Sequence, residues 1–139
     1  MQFKKYRIMK KSLYAAILAT VIFSSCANEF NRVYKTSDNT YKYEYAKESY
    51  ANGKYVRASS LLQGLVTMQK GTDNAQESLY MLGMAEYNSK EYDGAAATFK
   101  KYFASYPKGT YAENAEYYVG MSLQSHSRTA SRPVADGEC

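Results

Sequence analysis

Small and apolar residues recur along this chain at a step of 37 residues. The pairs Tyr45-Ala46, Leu82-Gly83 and Val119-Gly120 stand at this step, and behind the first two pairs further apolar positions follow in the same order. A fixed period of this length indicates stacked helical units, each of which buries its apolar side against the next. The positions predicted to form the core are Ala46, Tyr55, Ala58, Leu62, Leu82, Gly83, Ala95 and Phe99.

The spacing of these positions predicts an all-helical chain without strands. Helices are expected near residues 39–52, 55–69, 74–89, 92–106 and 111–124, and turns at residues 52–53 and 89–91. Asn74 ahead of Glu77 and Thr110 ahead of Glu113 predict capping boxes at two of the helix starts.

The second unit contains Gly83 followed by Ala95, Phe99 and Pro107 at the spacing of a helix-turn-helix repeat. This order resembles a tetratricopeptide repeat, with Glu86 where an aromatic residue is usual. The resemblance implies an all-α solenoid of helical hairpins with about two and a half repeats over residues 39–124. It also implies a scaffold that binds peptides or proteins, and it does not identify the partner.

The N-terminus is typical of an exported lipoprotein. Residues 1–25 contain five basic residues and no acidic one, and the apolar run over residues 13–23 is too short to span a membrane. Small residues directly before Cys26 resemble a bacterial lipobox, with Phe23 where Leu is usual, so acylation with palmitate is expected at Cys26. We therefore predict a signal peptide, a lipidated linker over residues 26–38, and attachment to the periplasmic face of the outer membrane.

Two alternatives bear on this segment. Cys26 could be a plain buried or disulfide-bonded cysteine. Translation could also begin at Met9, because Met9-Lys10-Lys11 is the more typical start of such a signal.

The signal peptide accounts for the charge of the chain. The net charge is +5, and removal of the five basic residues before Cys26 leaves 13 basic and 13 acidic residues. A neutral mature chain lacks the basic surface that nucleic-acid binding requires, so no nucleic-acid partner is expected.

Catalysis is also poorly supported by the sequence. His126 is the one histidine, and no cluster with metal, nucleophile or phosphate-loop spacing accompanies it. Cys139 cannot form a disulfide with a Cys26 that carries lipid. We predict a protein that is not an enzyme and that has no metal and no cofactor.

The repeat pattern breaks near the C-terminus. Residues 125–139 are rich in Ser and Arg and show no apolar periodicity, which predicts a disordered tail. Codons for Leu123 onward can also be chosen so that another reading frame continues the helix, and a frameshifted, truncated chain is our preferred explanation.

Taken together, the exported, acylated start and the Tyr-rich repeats from Tyr41 to Ser122 resemble the BamD lipoproteins of the outer-membrane β-barrel assembly machinery. The segments that carry the resemblance are residues 45–50, 53–55 and 99–107, and the 14 tyrosines after Cys26 resemble a Bacteroidetes-type sequence. The resemblance implies a non-catalytic scaffold whose partners are the barrel-forming subunit and unfolded barrel proteins. Family members are about twice as long, so the repeats present here correspond to their N-terminal half.

Within this resemblance, the first helix of each repeat lines a concave groove. Tyrosines there suit an extended peptide, because each offers apolar area and a hydroxyl group. Any one of them could instead pack against the neighbouring repeat. The predicted peptide-binding residues are Tyr43, Lys47, Tyr50, Tyr80, Met84, Tyr87, Asn88, Tyr117 and Met121.

Other functions remain open at this point. The chain could be another periplasmic tetratricopeptide lipoprotein, either a coordinator of cell-envelope machinery or a nutrient-binding lipoprotein of the starch-uptake type. It could be a truncated fragment without function, or an accessory domain of an enzyme, which the missing catalytic clusters disfavour.

Overall fold

A computed structural model describes residues 29–131, and these fall into two units. In the first unit, residues 29–35 are helical, Val33 is buried, and the rings of Phe30 and Tyr34 lie 6.0 Å apart. The second unit begins at Asp38 and contains the repeats. Cys26, the signal peptide and residues 132–139 lie outside the described residues.

The second unit consists of five consecutive helices: α1 (Asn39–Ala51), α2 (Tyr55–Met68), α3 (Ala75–Asn88), α4 (Tyr92–Ser105) and α5 (Ala112–Ala130). No strand occurs between residues 29 and 131. Each helix packs against the next along the chain, so α1 with α2 and α3 with α4 form two hairpins, and α5 packs on α4. The predicted all-α hairpin architecture is confirmed, and the first four helices begin and end within one residue of the predicted bounds.

The two hairpins turn in the same way. Gly53 and Lys90, which are 37 residues apart, adopt left-handed backbone angles with φ of 71° and 69°. In each turn an amide bonds back over five residues to a helix carbonyl, from Lys54 to Ser49 at 2.8 Å and from Glu91 to Glu86 at 2.9 Å. This bond satisfies a carbonyl that the helix end would leave without a partner. The second turn therefore holds a lysine in a conformation that favours glycine.

The core lies between the helices of each hairpin and between hairpins. Phe99 and Tyr102 of α4 are fully buried, and Ala95, Ala112 and Ala115 let the adjacent helices approach them closely. Of the eight predicted core residues seven are buried, and the exception is Tyr55, which is half-buried.

The predicted capping boxes are wrong. Asn74 precedes α3 without a side-chain hydrogen bond to the helix, and the residue before α5 is Tyr111 rather than Thr110. The Tyr111 amide instead donates to the hydroxyl of Tyr102 at 3.2 Å. A buried side chain of the preceding helix thus satisfies this amide, which a local sequence pattern cannot reveal.

The last helix is longer than predicted. It runs to Ala130, six residues past the expected end at Gln124, so the prediction of disorder from residue 125 is wrong as far as Ala130. Ser127 stands 37 residues after Lys90, and here the backbone continues as helix instead of turning. The helix is held beside the start of α4, where His126 Nδ1 lies 3.1 Å from Asp93 Oδ1. Most residues of this extension are exposed, so it is helical without being buried and despite a composition that is typical of disorder.

Candidate functional site

Tyr80 connects the second repeat with α5. Its ring stacks on Tyr111 at 4.5 Å with an interplanar angle of 9°, and it also contacts Phe99 at 5.8 Å and Tyr102 at 6.0 Å. Tyr118 of α5 stacks on Phe99 at 5.3 Å. Large rings with offset or edge contacts contribute more than their buried area alone. The aromatic side chains therefore fix the spacing between α3, α4 and α5.

On the face formed by α1, α3 and α5, polar tips of side chains from three repeats come together. We call this set the hydroxyl cluster: Tyr50, Tyr80, Asn88, Asn114 and Tyr118. Asn88 Nδ2 donates to the Tyr50 hydroxyl at 3.3 Å, which links α1 to α3. The side chain of Asn114 lies beside the Tyr80 hydroxyl, which links α3 to α5. Both asparagines are exposed, whereas the three tyrosines are half-buried.

The hydroxyl cluster is electrically neutral. Burial is the main reason that the pKa of Tyr50 and the pKa of Tyr80 are raised, and the nearby Tyr118 hydroxyl raises both further. A phenol with an ordinary pKa of about 10 is already protonated at neutral pH, and the raised pKa values leave Tyr50 and Tyr80 so. The cluster consequently offers donors and acceptors of hydrogen bonds and no charge.

Tyr43, Tyr80 and Tyr117 occupy the same place in successive repeats, and their burial differs. The Tyr43 hydroxyl lies beside Glu77 of α3, and the Tyr80 hydroxyl lies beside Asn114 of α5, in each case 34 residues further on. This position therefore contacts the next repeat. Tyr43 is only 3% exposed, so a surface role in peptide binding is wrong for Tyr43 in this structure. Tyr117 is 62% exposed.

The other predicted binding residues lie in mixed surroundings. Tyr87 contacts the rings of Tyr92 and Tyr118, and Met84 packs on the core. The Lys47 ammonium lies 5.2 Å from the centre of the Tyr43 ring and 3.7 Å from a Glu44 oxygen, so it is directed along its own helix. The predicted residues that lie in or beside the hydroxyl cluster are the exposed Asn88 and Tyr117 and the half-buried Tyr50 and Tyr80. Met121 is half-buried.

Three residues in the first half of α5 or directly before it belong to this face and were not predicted as binding residues. Tyr111, Asn114 and Tyr118 follow one another at the three- and four-residue spacing of one helix side, and all three lie against or beside residues of α3. A strict step of 37 residues pairs Tyr80 with Tyr117 and so misses them. The helical spacing of Tyr111, Asn114 and Tyr118 was the signal that could have found them.

Glu86 is a buried carboxylate outside this face. It is 7% exposed, and Thr98 Oγ1 donates to its Oε2 at 2.6 Å across the α3 and α4 pair. Burial raises the pKa of Glu86, and the hydrogen bonds from Thr98 and Gln63 offset part of that shift. Glu86 occupies a repeat position where an aromatic residue is usual, and it makes a polar contact between two helices there.

Metal-binding groups and membrane-spanning helices are both absent from the described residues. From residue 29 to residue 131, no group of three or more His, Cys, Asp or Glu side chains is arranged to hold a metal ion. His126 pairs with Asp93, and both side chains are more than half exposed. In the same part of the chain, every helix falls short of the length and apolarity that crossing a bilayer would demand.

Comparison with known proteins identifies the family. A comparison with curated proteins gives no match. A family model described as YfiO, an outer membrane lipoprotein, matches residues 35–137, which is more than half of the chain. The match includes all five helices of the second unit and the hydroxyl cluster. The chain therefore belongs to the YfiO family of outer membrane lipoproteins.

Proposed function

We propose that this protein is a non-catalytic, lipid-anchored scaffold of the BamD type, which serves β-barrel assembly at the outer membrane. It binds an extended polypeptide along the face formed by α1, α3 and α5. Family membership supports the proposed location at the outer membrane, because the matched family is one of outer membrane lipoproteins. The hydroxyl cluster is the single observation that carries the proposed binding.

The chemistry of the cluster suits an extended main chain. A polypeptide without secondary structure carries one amide donor and one carbonyl acceptor per residue, and both need partners when they leave water. Asn88 and Asn114 can each donate and accept, and so can the three tyrosine hydroxyls. The exposed ring of Tyr117 adds apolar area beside them. A neutral face of this kind fits a barrel-forming segment better than an acidic or basic ligand.

Hydroxyl deletions test the proposal without removing the rings that hold the repeats together. The triple variant Tyr50→Phe, Tyr80→Phe, Tyr118→Phe keeps every ring contact, and Asn88→Ala with Asn114→Ala removes the exposed amides. The probe is a fluorescent peptide from the C-terminal strand of an outer-membrane barrel protein. We expect each variant to weaken binding by about tenfold, which corresponds to one or two lost hydrogen bonds.

Tyr41→Phe is the matched control, because Tyr41 is an exposed tyrosine outside the cluster. It should bind as the wild type does. If all variants bind the peptide equally well, the hydroxyl cluster is not part of the binding site. If the wild type binds no barrel peptide, and depletion of the protein disturbs the cell wall while barrel proteins still reach the outer membrane, the function is that of a cell-envelope coordinator instead.

A further inference from the structure

The two hairpins expose the same side of their second helices. Four exposed residues of α2 lie at steps of three and four residues, which is one side of a helix, and the four residues that stand 37 positions later in α4 are exposed as well. The residues Leu65 and Tyr102, which lie between them in sequence, are buried in both hairpins. Exposure of this side therefore belongs to the repeat and not to one open helix. We call this set the outer side: Gln63, Gly64, Thr67, Met68, Lys100, Lys101, Ala104 and Ser105.

Acidic residues are distributed unevenly over the five helices. The helices α1, α3 and α5 contain two acidic residues each, and α2 contains none. The acidic residue of α4 is Asp93, which lies in the first turn, away from the outer side, and pairs with His126. Basic residues lie on the outer side or directly after the helix ends next to it. These are Lys70, Lys100, Lys101 and Lys108.

The positive charge of this region is not compensated within the described chain. All four lysines are exposed, and none of them lies within 4 Å of a carboxylate oxygen among residues 29–131. Met68, on the same side, is apolar and 66% exposed. The mature chain is predicted to be neutral as a whole, yet its outer side combines unpaired positive charge with an exposed apolar side chain.

We propose that the outer side, together with Lys70 and Lys108, lies on a membrane surface that contains anionic phospholipids. Lysines near a bilayer are attracted to anionic headgroups, and their ammonium groups can reach the headgroups while the stems lie along apolar surface. Met68 adds an apolar side chain at the headgroup boundary. The inference rests on the proposed lipid anchor, because a few lysines hold a protein on a membrane firmly only beside a second attachment.

This contact leaves the hydroxyl cluster accessible. The helices α1 and α3 pack against the buried sides of α2 and α4, so the outer side faces away from them. With the outer side on the membrane, the face formed by α1, α3 and α5 is open to polypeptides from the aqueous side. The exposed carboxylates of Glu44 and Glu48 in α1 are then kept away from the anionic headgroups.

The accessibility of a fluorophore on the anchored protein tests the contact. Full-length acylated protein is placed on vesicles of phosphatidylcholine, either alone or with an equal amount of phosphatidylglycerol. In a Cys139→Ser background the fluorophore is attached at Ala104→Cys on the outer side, or at Glu48→Cys on α1, and acrylamide serves as a neutral quencher. We expect quenching at position 104 to be about twofold lower or less on the anionic vesicles, and quenching at position 48 to be equal on both.

Lysine variants separate the outer side from the general charge of the protein. Changing the four lysines of the contact to glutamine should make quenching at position 104 equal on the two kinds of vesicle. High salt should have the same effect while the acylated protein stays on the vesicles, because salt screens exposed charges. The matched control changes four lysines elsewhere to glutamine and should keep the protection: Lys42, Lys47, Lys54 and Lys90.

Two results would overturn the proposal while leaving the lipid anchor in place. One is equal quenching at position 104 on neutral and anionic vesicles. The other is protection at position 104 in detergent without vesicles that grows with protein concentration, which would make a second copy of this chain the occupant. A protein that washes off both kinds of vesicle would refute the anchor and this inference together. Barrel-peptide binding in detergent tests the proposed function separately.

Discussion

A β-carbon added to Gly83 would lie 2.7 Å from Cε1 of Phe99 and 2.9 Å from two further atoms of the same ring. The ring cannot move aside easily, because Tyr80 and Tyr118 contact it. We therefore expect Gly83→Ala to lower the free energy of unfolding by about 1–3 kcal/mol, as overpacked cores do.

Gly120→Ala is the control for this prediction, because it changes the equivalent residue where space is open. It should raise the free energy of unfolding by up to about 1 kcal/mol through helix propensity. Repeat one also suggests a rescue, since it pairs Ala46 with the smaller Leu62. In urea unfolding, Gly83→Ala with Phe99→Leu should lose less stability than the sum of the single changes, and strict additivity would contradict the packing argument.

The buried carboxylate of Glu86 should make stability depend on pH. Its folded pKa is raised mainly by burial, so the stability it contributes is full below the unfolded pKa of about 4.3 and is lost as pH rises through the folded pKa. In Glu86→Gln the amide oxygen can still accept from Thr98 and carries no charge. We expect this variant to gain stability relative to the wild type as pH rises from about 4 to 7.

Thermal unfolding at several pH values measures this difference. Glu48→Gln, at an exposed position of α1, is the control and should leave the pH profile unchanged. A constant difference between Glu86→Gln and the wild type over the whole range would contradict the assignment.

Lys90 should be replaceable by glycine with a gain in stability. Its left-handed backbone is unfavourable for a residue with a side chain by about 1–2 kcal/mol. Lys90→Gly should therefore raise the midpoint of urea unfolding, and Gly53→Lys should lower it by a similar amount, because Gly53 has the same backbone angle. Equal midpoints for both variants and the wild type would show that the turns relax to other conformations.

Acylation at Cys26 remains a prediction, since this residue lies before the described part of the chain. Radiolabelled palmitate should be incorporated into the wild type and not into Cys26→Ala. Attachment should survive washing with high salt, because each buried methylene of an acyl chain contributes about 0.8 kcal/mol. Equal labelling of both proteins would exclude this lipidation site.

Features that follow from a local sequence pattern were predicted correctly. Gly83 and Phe99 were placed together because a small residue and a large one recur at the spacing of a helical hairpin, and the hairpin bounds followed from the same spacing. The end of α5 could not be predicted in this way. The segment around His126 has no apolar period, and its position beside Asp93 of α4 cannot be deduced from its own sequence.

The candidate site was predicted less well for a related reason. A repeat alignment shows which side of a helix a residue occupies, and it does not show whether the next repeat covers that residue. Tyr43 and Tyr117 are equivalent by alignment, yet one is buried and the other is exposed.

The aromatic contacts around Tyr80 also provide a spectroscopic signal that needs no added label. The chain contains no tryptophan, so tyrosines dominate its near-ultraviolet signal. The parallel rings of Tyr80 in α3 and Tyr111, directly before α5, hold two of these chromophores 4.5 Å apart. Near-ultraviolet circular dichroism therefore reports the register between the second repeat and α5, while the far-ultraviolet spectrum reports helix content. Loosening of this junction would be visible without any label, even while every helix stays folded.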